Sequence, residues 1–280
     1  MTAVYCPDSL AAALSAMGEL NTLAVAGCTD VMVPGSPHIP RAHRLVDLSR
    51  VPELLGVSAR NGYVDIGAGE TFARLRHDPA VRQHLPALAD VAATVGALQI
   101  QARATIGGNI ANASPAGDSL PVLLALDAEL VLAGPAGERT VSYDAMHVGY
   151  RRTAMAQGEL IVRVRLPMPA GDSLQSFRKI GTRQAQAISK VSLAFAARRD
   201  GNTLRDVRFA AGSVAATPVR LWQTEAVCEG APLDLDLAQA AGAAAATEVQ
   251  PMDDVRSTAA YRRFVLARCV RRMVRDAGCP

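Results

Sequence analysis

Two short stretches of this chain carry residues able to grip a phosphate. Thr105-Ile-Gly-Gly-Asn-Ile-Ala-Asn-Ala-Ser-Pro-Ala-Gly-Asp118 sets Gly107 and Gly108 among Thr105, Asn109, Asn112, Ser114 and Asp118. A glycine pair has no Cβ to hold a ligand away from the backbone. Backbone N–H groups followed by short polar side chains make a concavity that suits an anion. Ala26-Gly-Cys-Thr-Asp30 places a glycine, a hydroxyl and a carboxylate at the end of an apolar run. Neither stretch is a G-x-G-x-x-G fingerprint or a Walker loop, and either one alone also reads as an ordinary turn.

Other chemistry finds no pattern to rest on. Cysteines stand at 6, 28, 228, 269 and 279, with no C-x-x-C pair. That spacing argues against zinc, an iron–sulfur cluster or a disulfide framework. His38, His43, His77, His84 and His147 include no H-x-x-x-H pair. A nucleophile elbow of the G-x-S-x-G kind is missing. Asp253 and Asp254 precede a helical pattern and read as caps. Any reaction would therefore be carried by a bound, phosphate-bearing cofactor.

The elements that must hold the two stretches follow from periodicity and caps. Asp8-Ser9 opens a helix that ends at Gly18. Residues 22–26 read as a buried strand, residues 34–43 as a loop and residues 45–48 as a second strand. Asn61-Gly62 predicts a hairpin turn between strands at 54–57 and 63–68. Glu70-Thr71 caps a short helix, and helical segments follow near 78–84 and 86–95. Residues 119–126 predict an apolar helix with Asp118 or Ser119 as N-cap and Pro121 in its first turn. Residues 128–133 and 139–142 read as strands joined at Gly134-Pro-Ala-Gly137. In 159–166 the alternation predicts a half-buried strand. Val162, Val164 and Leu166 would share one face, with Ile161, Arg163 and Arg165 on the other.

Pro167-Met-Pro-Ala-Gly171 is the best linker and marks a domain boundary. Beyond it, residues 176–180, 187–198 and 204–212 predict an antiparallel meander, turned once at Asp200-Gly201-Asn202. Helices follow at 235–249 and 253–276. In the last, Tyr261, Phe264, Val265, Cys269, Val270, Met273 and Val274 would form one apolar stripe. Its six arginines, Arg262 among them, read as a solvated or partner-facing rim. No interleaved aromatic platform accompanies them, which argues against nucleic acid.

The totals set the outer limits. A chain of 280 residues accommodates two domains, and half of it is hydrophobic. Aromatics supply only 4 %, so the core must be built from Ala, Val and Leu. Net charge is +3, too small to require an acidic polymer as partner. No apolar run reaches membrane-spanning length, and the N-terminus lacks a basic n-region and a secretory h-region. The expected location is cytoplasmic.

Five blocks, in order, resemble one family. They are Ala26-Gly-Cys-Thr-Asp30, the run from Thr105 to Asp118, and Gly149-Tyr-Arg-Arg-Thr153 with Glu159-Leu-Ile161. Phe177-Arg-Lys-Ile-Gly-Thr-Arg183 continuing to Ile188-Ser-Lys-Val191 follows, then Pro251-Met-Asp-Asp-Val-Arg256 with Tyr261-Arg-Arg263. Together they are similar to the FAD-binding medium subunit of molybdenum hydroxylases, the group of xanthine dehydrogenase and carbon monoxide dehydrogenase. The resemblance runs from about residue 8 to about residue 274.

It implies an α+β chain. A two-lobed α/β FAD-binding domain of the vanillyl-alcohol-oxidase-like (PCMH) type would span 1–168, with lobes at about 1–55 and 56–168. A C-terminal domain of antiparallel sheet and helices would span 172–280. It also implies site roles. Ala24, Val25, Ala26, Gly27, Cys28, Thr29, Asp30 and Val31 would wrap the FAD pyrophosphate from one lobe. Thr105, Ile106, Gly107, Gly108 and Asn109 would wrap it from the other. Asp118 would accept from a sugar or ribityl hydroxyl, Ile161 would contact adenine, and Lys179 would reach the flavin ring.

The implied partners are a large subunit with the molybdenum cofactor and a small subunit with two 2Fe–2S clusters, in a dimer of heterotrimers. NAD or another acceptor would take the electrons. The implied substrate is a purine, another N-heterocycle or a small molecule of the CO kind. One departure stands out: the family usually has a second glycine where this chain has Cys28. Scattered cysteines exclude the extra cluster carried by relatives of the 4-hydroxybenzoyl-CoA reductase kind. Two alternatives remain: a structural subunit that has lost its cofactor, and a stand-alone flavin oxidase, which would need a substrate domain with its own acid–base residues.

Overall fold

The computed structural model describes residues 3–33, 44–169 and 171–278. The loop expected at 34–43 lies outside the described residues.

The first lobe is a small parallel sheet. Its elements are β1 (Ala3–Tyr5), α1 (Leu10–Met17), β2 (Thr22–Val25) and β3 (Arg44–Asp47), with strand order β1-β3-β2. Ser9 caps α1 by accepting the Ala12 N–H, and Gly18 closes it. Ala13, Ala16 and Val46 pack with Leu160 and Val162, which fastens this lobe to the second.

The second lobe begins with a hairpin, β4 (Val57–Arg60) and β5 (Tyr63–Gly67). Asn61 (φ 52°) and Gly62 (φ 79°) both take positive φ, as a two-residue turn of this hand requires. The first strand lies later than 54–57. Leu54 belongs instead to a 3-10 turn, because Pro52 opens a helical bend.

A run of short helices follows: α2 (Phe72–His77), α3 (Pro79–His84), α4 (Pro86–Ala92), α5 (Leu98–Gln101), α6 (Ile106–Asn112) and α7 (Ser119–Ala125). Then come β6 (Glu129–Gly134), β7 (Gly137–Ser142), the ribbon β8 (His147–Gly149) with β9 (Arg152–Thr153), and β10 (Leu160–Pro167). The large sheet has order β4-β5-β10-β6-β7. Its central strand corrects one expectation. The register of β10 shifts between Ile161 and Arg163, so an extra residue enters there. That bulge turns Leu160 and Val162 toward the first lobe and Ile161 toward Val164 and Leu166 in the main core. Simple alternation predicted the opposite partition of Ile161 and Val162.

The C-terminal half is a four-stranded antiparallel sheet carrying helices. Strands β11 (Ser173–Ile180), β12 (Val191–Asp200), β13 (Thr203–Gly212) and β14 (Val219–Arg220) lie in chain order. The turn at residues 200–202 is where it was expected, with Gly201 at φ 58°. Residues 187–190 are not strand, and β12 starts at Val191. Helices α8 (Trp222–Cys228), α9 (Leu235–Thr247) and α10 (Ala259–Asp276) complete the chain.

Helix α10 begins six residues later than the pattern suggested. Thr258 caps it, and from the loop before it Asp253 Oδ1 accepts the Ala259 N–H, so Asp253 does serve the helix start while Asp254 does not. Tyr261 and Phe264 leave the expected apolar stripe for solvent, 41 % and 60 % exposed, and Leu266 takes the buried position. Arg262 leaves the expected rim and is buried. Its guanidinium donates to the Lys190 and Ser213 carbonyls and to the Asp254 carboxylate.

The second lobe and the C-terminal sheet share a core. Ala194, Ala196 and Ala210 of the C-terminal sheet pack in one cluster with Leu88 of α4 and Leu123 of α7. At the edge of this contact Asp127 pairs with Arg208 and Arg220.

Tyr143 is fully buried, and its hydroxyl lies 3.1 Å from His147 Nε2. Burial lowers the His147 pKa to about 4. The folded state therefore disfavours the proton that the unfolded chain accepts below about pH 6.5. Stability should fall as pH drops through the window from about 6.5 to 4, by at most about 1.4 kcal/mol per pH unit. Denaturant melts of the wild type and His147→Gln across that window check this; the variant should show the shallower slope.

Candidate functional site

The two stretches meet face to face. The loop after β2 faces α6 of the other lobe across a cavity of about 150 Å³, lined by residues 23–31 and by Thr105, Gly108 and Asn109. A second, more apolar cavity of about 240 Å³ shares Ala24, Val25, Ala26, Thr105 and Gly108 with it and adds Gly107 and Ile161. The pair makes one elongated cleft with a polar end and an apolar end.

Backbone contact sets the width of the cleft. A Cβ on Gly27 would overlap the Arg103 carbonyl and press on Ala104. The first loop can approach the second lobe only because that Cβ is missing. Among the described residues, the N–H groups of Gly27, Cys28, Thr29 and Asp30 meet no protein acceptor. Loop donors of this kind want an anion or water.

The α6 side is built differently from the expected bare loop. It is a helix start, with Thr105 as N-cap. Its N–H groups are already engaged. Ile106 donates to the Glu70 carbonyl (3.0 Å) and Gly107 to the Ala68 carbonyl (2.9 Å). Gly108 donates to Thr105 Oγ1 at 3.1 Å and Asn109 to the Thr105 carbonyl at 3.0 Å. This side contributes the positive end of a helix dipole and small side chains rather than free donors.

The two glycines have separate reasons. A Cβ on Gly107 would lie 2.7 Å from Ala68 Cβ, so Gly107 lets α6 sit on the end of β5. Gly108 is exposed and lines both cavities. Ile106 is fully buried in the core and lines neither cavity. Asn109 Oδ1 accepts from Ser119 Oγ at 2.7 Å, which orients its amide group.

Cys28 holds a left-handed conformation, φ 61°, where a side chain costs about 1 kcal/mol relative to glycine. Burial, with the Asp47 carboxylate nearby, raises its thiol pKa. Cys28→Gly should stabilise the protein by about 1 kcal/mol, or roughly 2 °C in a thermal melt, with FAD retention undiminished.

Asp118 and Lys179 sit apart from the cleft walls and bind each other. Lys179 Nζ lies 2.5 Å from Asp118 Oδ2 and 3.0 Å from the Thr94 carbonyl. Ser189 Oγ donates to Asp118 Oδ1 at 2.5 Å. Asp118 occupies the residue before α7 but does not cap it; its φ and ψ are helical and its carboxylate is turned to Lys179. Burial pushes its carboxyl pKa up, while Lys179 and Ser189 pull it down. The role of Ser189 had no signal in residue spacing, because β11 and β12 create the contact.

A third cavity, about 300 Å³, opens where Ser189 ends. Tyr150 and Arg151 of the β8–β9 turn, Ile188, Met252, Arg256 and Arg262 line it. Ser213 Oγ and Arg262 Nε there are buried without a partner. Among the described residues no group of three or more His, Cys, Asp or Glu side chains is placed to hold a metal ion, and no helix is long and apolar enough to cross a membrane.

Two α/β lobes clasping a cleft with an unsatisfied donor loop define a dinucleotide-binding subunit. Comparison with known proteins names the class more closely. Residues 1–169 match the family model described as the FAD binding domain in molybdopterin dehydrogenase, and residues 176–277 match the CO dehydrogenase flavoprotein C-terminal domain. The putative xanthine dehydrogenase FAD-binding subunit of Escherichia coli K12 is 31 % identical over 90 % of this chain and 87 % of its own length. The carbon monoxide dehydrogenase medium chain of Hydrogenophaga pseudoflava is 30 % identical over 98 % of this chain and 96 % of its own. A crystal structure of carbon monoxide dehydrogenase from that organism superposes with a TM-score of 0.93, at 29 % identity over 97 % of this chain and 95 % of the other.

The chain belongs to the FAD-binding domain family of molybdopterin dehydrogenases, as an oxidoreductase subunit. The cleft fits that cofactor: loop donors without acceptors at one end, a width set by the bare backbone of Gly27 against Arg103, and an exposed Gly108 on the wall of both cavities.

Proposed function

We propose that this chain is the FAD-carrying electron-transfer subunit of a heteromeric molybdenum hydroxylase. The observation that supports it best is the donor loop at residues 27–30, held against Arg103 by backbone contact at Gly27. Residues 24–31 would hold the pyrophosphate mainly through backbone N–H groups. Each charge-assisted bond contributes roughly 1.5–3 kcal/mol. Thr105, Gly108 and Asn109 would close the other side, and Ile161 would floor the adenine end in the apolar cavity. Lys179, with its charge held by Asp118, would stand toward the flavin ring. Bound FAD supplies a carrier that takes electrons singly and passes them on singly or in pairs.

The protein's own task is to clasp, orient and desolvate. Substrate chemistry would belong to a partner with the molybdenum cofactor, with electrons arriving from 2Fe–2S clusters on another, as the family relationship supports. The third cavity, lined by Arg151, Arg256 and Arg262 beside Ser189, supports NAD or a comparable acceptor. A dimer of heterotrimers in the cytoplasm is the assembly we infer, with a purine, another N-heterocycle or a CO-type molecule as substrate. The domain division falls between residues 168 and 172. The alternative, a structural subunit without cofactor, has only Cys28 in its favour.

The test is absorbance. Protein purified with excess FAD should show the flavin band near about 450 nm; colourless, folded protein would refute the proposal. Gly108→Asp puts a carboxylate into the cleft while leaving the Ala68 contact intact. Its FAD dissociation constant should rise by about 100-fold or more, by loss of roughly 3 kcal/mol.

A further inference from the structure

Helix α10 presents a largely exposed face; among the described residues the rest of the chain touches it where the Arg271 stem lies along Gly242 of α9 and where Lys190 lies over Tyr261. Tyr261, Phe264, Arg268, Arg271, Arg272 and Arg275 all lie on it and all are exposed. Spacings of three and four residues place them on one side of a helix. The opposite side carries Leu266, Cys269, Val270, Met273 and Val274 into the core.

Among the described residues only Arg272 of these four arginines has a carboxylate partner, Asp276. Among the described residues no acidic group pairs with Arg268, Arg271 or Arg275. The helix dipole accounts for Arg275 in the last turn. It does not account for Arg268 or Arg271.

The two aromatics are held in place by cations. The Arg268 guanidinium lies 5.5 Å from the Phe264 ring centre, and Lys190 Nζ lies 5.2 Å from that of Tyr261. At the N-terminal end the surface continues into Val255, 99 % exposed, in the loop anchored by Asp254 and Arg262. Aromatic residues with arginine, on a rigid scaffold, are the composition of an interface centre.

We infer that the exposed face of α10 docks an acidic patch on a partner subunit of the complex proposed above. The inference rests on that reading for the existence of the partner. Charge complementarity selects the chemistry: the C-terminal half of the face carries Arg268, Arg271, Arg272 and Arg275 over about 10 Å, and needs carboxylates opposite it. The chain's net charge of +3 is too small to require a polyanion, and exposed aromatics beside the arginines suit a folded protein surface. Such a surface need only match the local field, which salt screens beyond about 8 Å.

The experiment uses the co-expressed complex. Arg268→Glu with Arg271→Glu should leave the subunit folded and FAD-loaded but absent from the complex on size exclusion. Partner affinity should drop by at least about tenfold, and wild-type association should weaken with added salt. Co-purification of the variant at wild-type stoichiometry, with the same salt dependence, would overturn the inference. Loss of binding to DNA or anionic vesicles with the complex intact would overturn it too. Should the double reversal fold poorly, Arg268→Gln with Arg271→Gln provides the same readout. Absorbance near about 450 nm separates this outcome from failure of the FAD reading: colourless wild type sinks that reading, while yellow, dissociated variant supports this one.

Discussion

Gly27→Ala should abolish retention of FAD. The added methyl group would occupy the position of the Arg103 carbonyl oxygen and crowd Ala104. Both are backbone, so neither can rotate away. The first loop must retreat, and its donors at residues 27–30 leave the reach of any ligand held by Thr105 and Asn109. Losing two or more charge-assisted bonds at roughly 1.5–3 kcal/mol each weakens binding by about a thousandfold. Stability should fall as well, because the lobes meet at this point. Equilibrium dialysis of variant and wild type against FAD, with far-UV circular dichroism to verify the fold, checks the expectation. A variant that binds FAD within tenfold of wild type would mean that the loop does not supply the phosphate donors. Gly27 sits beside Cys28, whose left-handed φ suits glycine, so adjacent positions should respond in opposite directions.

Asp118→Ala should destabilise the protein by about 3–5 kcal/mol, the cost of leaving a buried cation without its partner. The Lys179 side chain is only 9 % exposed and would keep a single neutral acceptor, the Thr94 carbonyl. The Ser189 hydroxyl would lose its acceptor too. Removing both charges with Asp118→Leu and Lys179→Met should recover much of the loss, since well-packed apolar groups tolerate such a site. Urea midpoints of the two single variants and the double variant give the coupling directly. Single variants as stable as the wild type would show that the pair is not desolvated in solution. The double variant tests a separate point. If it holds FAD normally, neither residue contacts the cofactor.

The architecture was largely legible in the chain because local signals were strong. Ser9 and Gly18 bracket α1, Asn61 and Gly62 demand a turn of one hand, and residues 200–202 turn the C-terminal meander. Family membership was legible for another reason: five blocks in fixed order are far more specific than any one of them. Errors fell where long-range packing overrides period. The bulge in β10 exchanged the partners of Ile161 and Val162, and a buried ion network drew Arg262 inward while Tyr261 and Phe264 turned out.

By itself the sequence determined which residues lack a Cβ, which carry short polar groups, and in what order the strands and helices run. These depend on neighbours along the chain, and neighbours are what a sequence records. The tertiary structure decided what each glycine is for. Gly27 admits a carbonyl from 76 positions away, Gly107 seats a helix on a strand end, and Gly108 alone of the three faces open space as well as its own cap. It also decided that Asp118 turns to Lys179 rather than to its helix. Those choices come from backbone packing and from the cost of isolating a charge, and both arise only once distant segments touch.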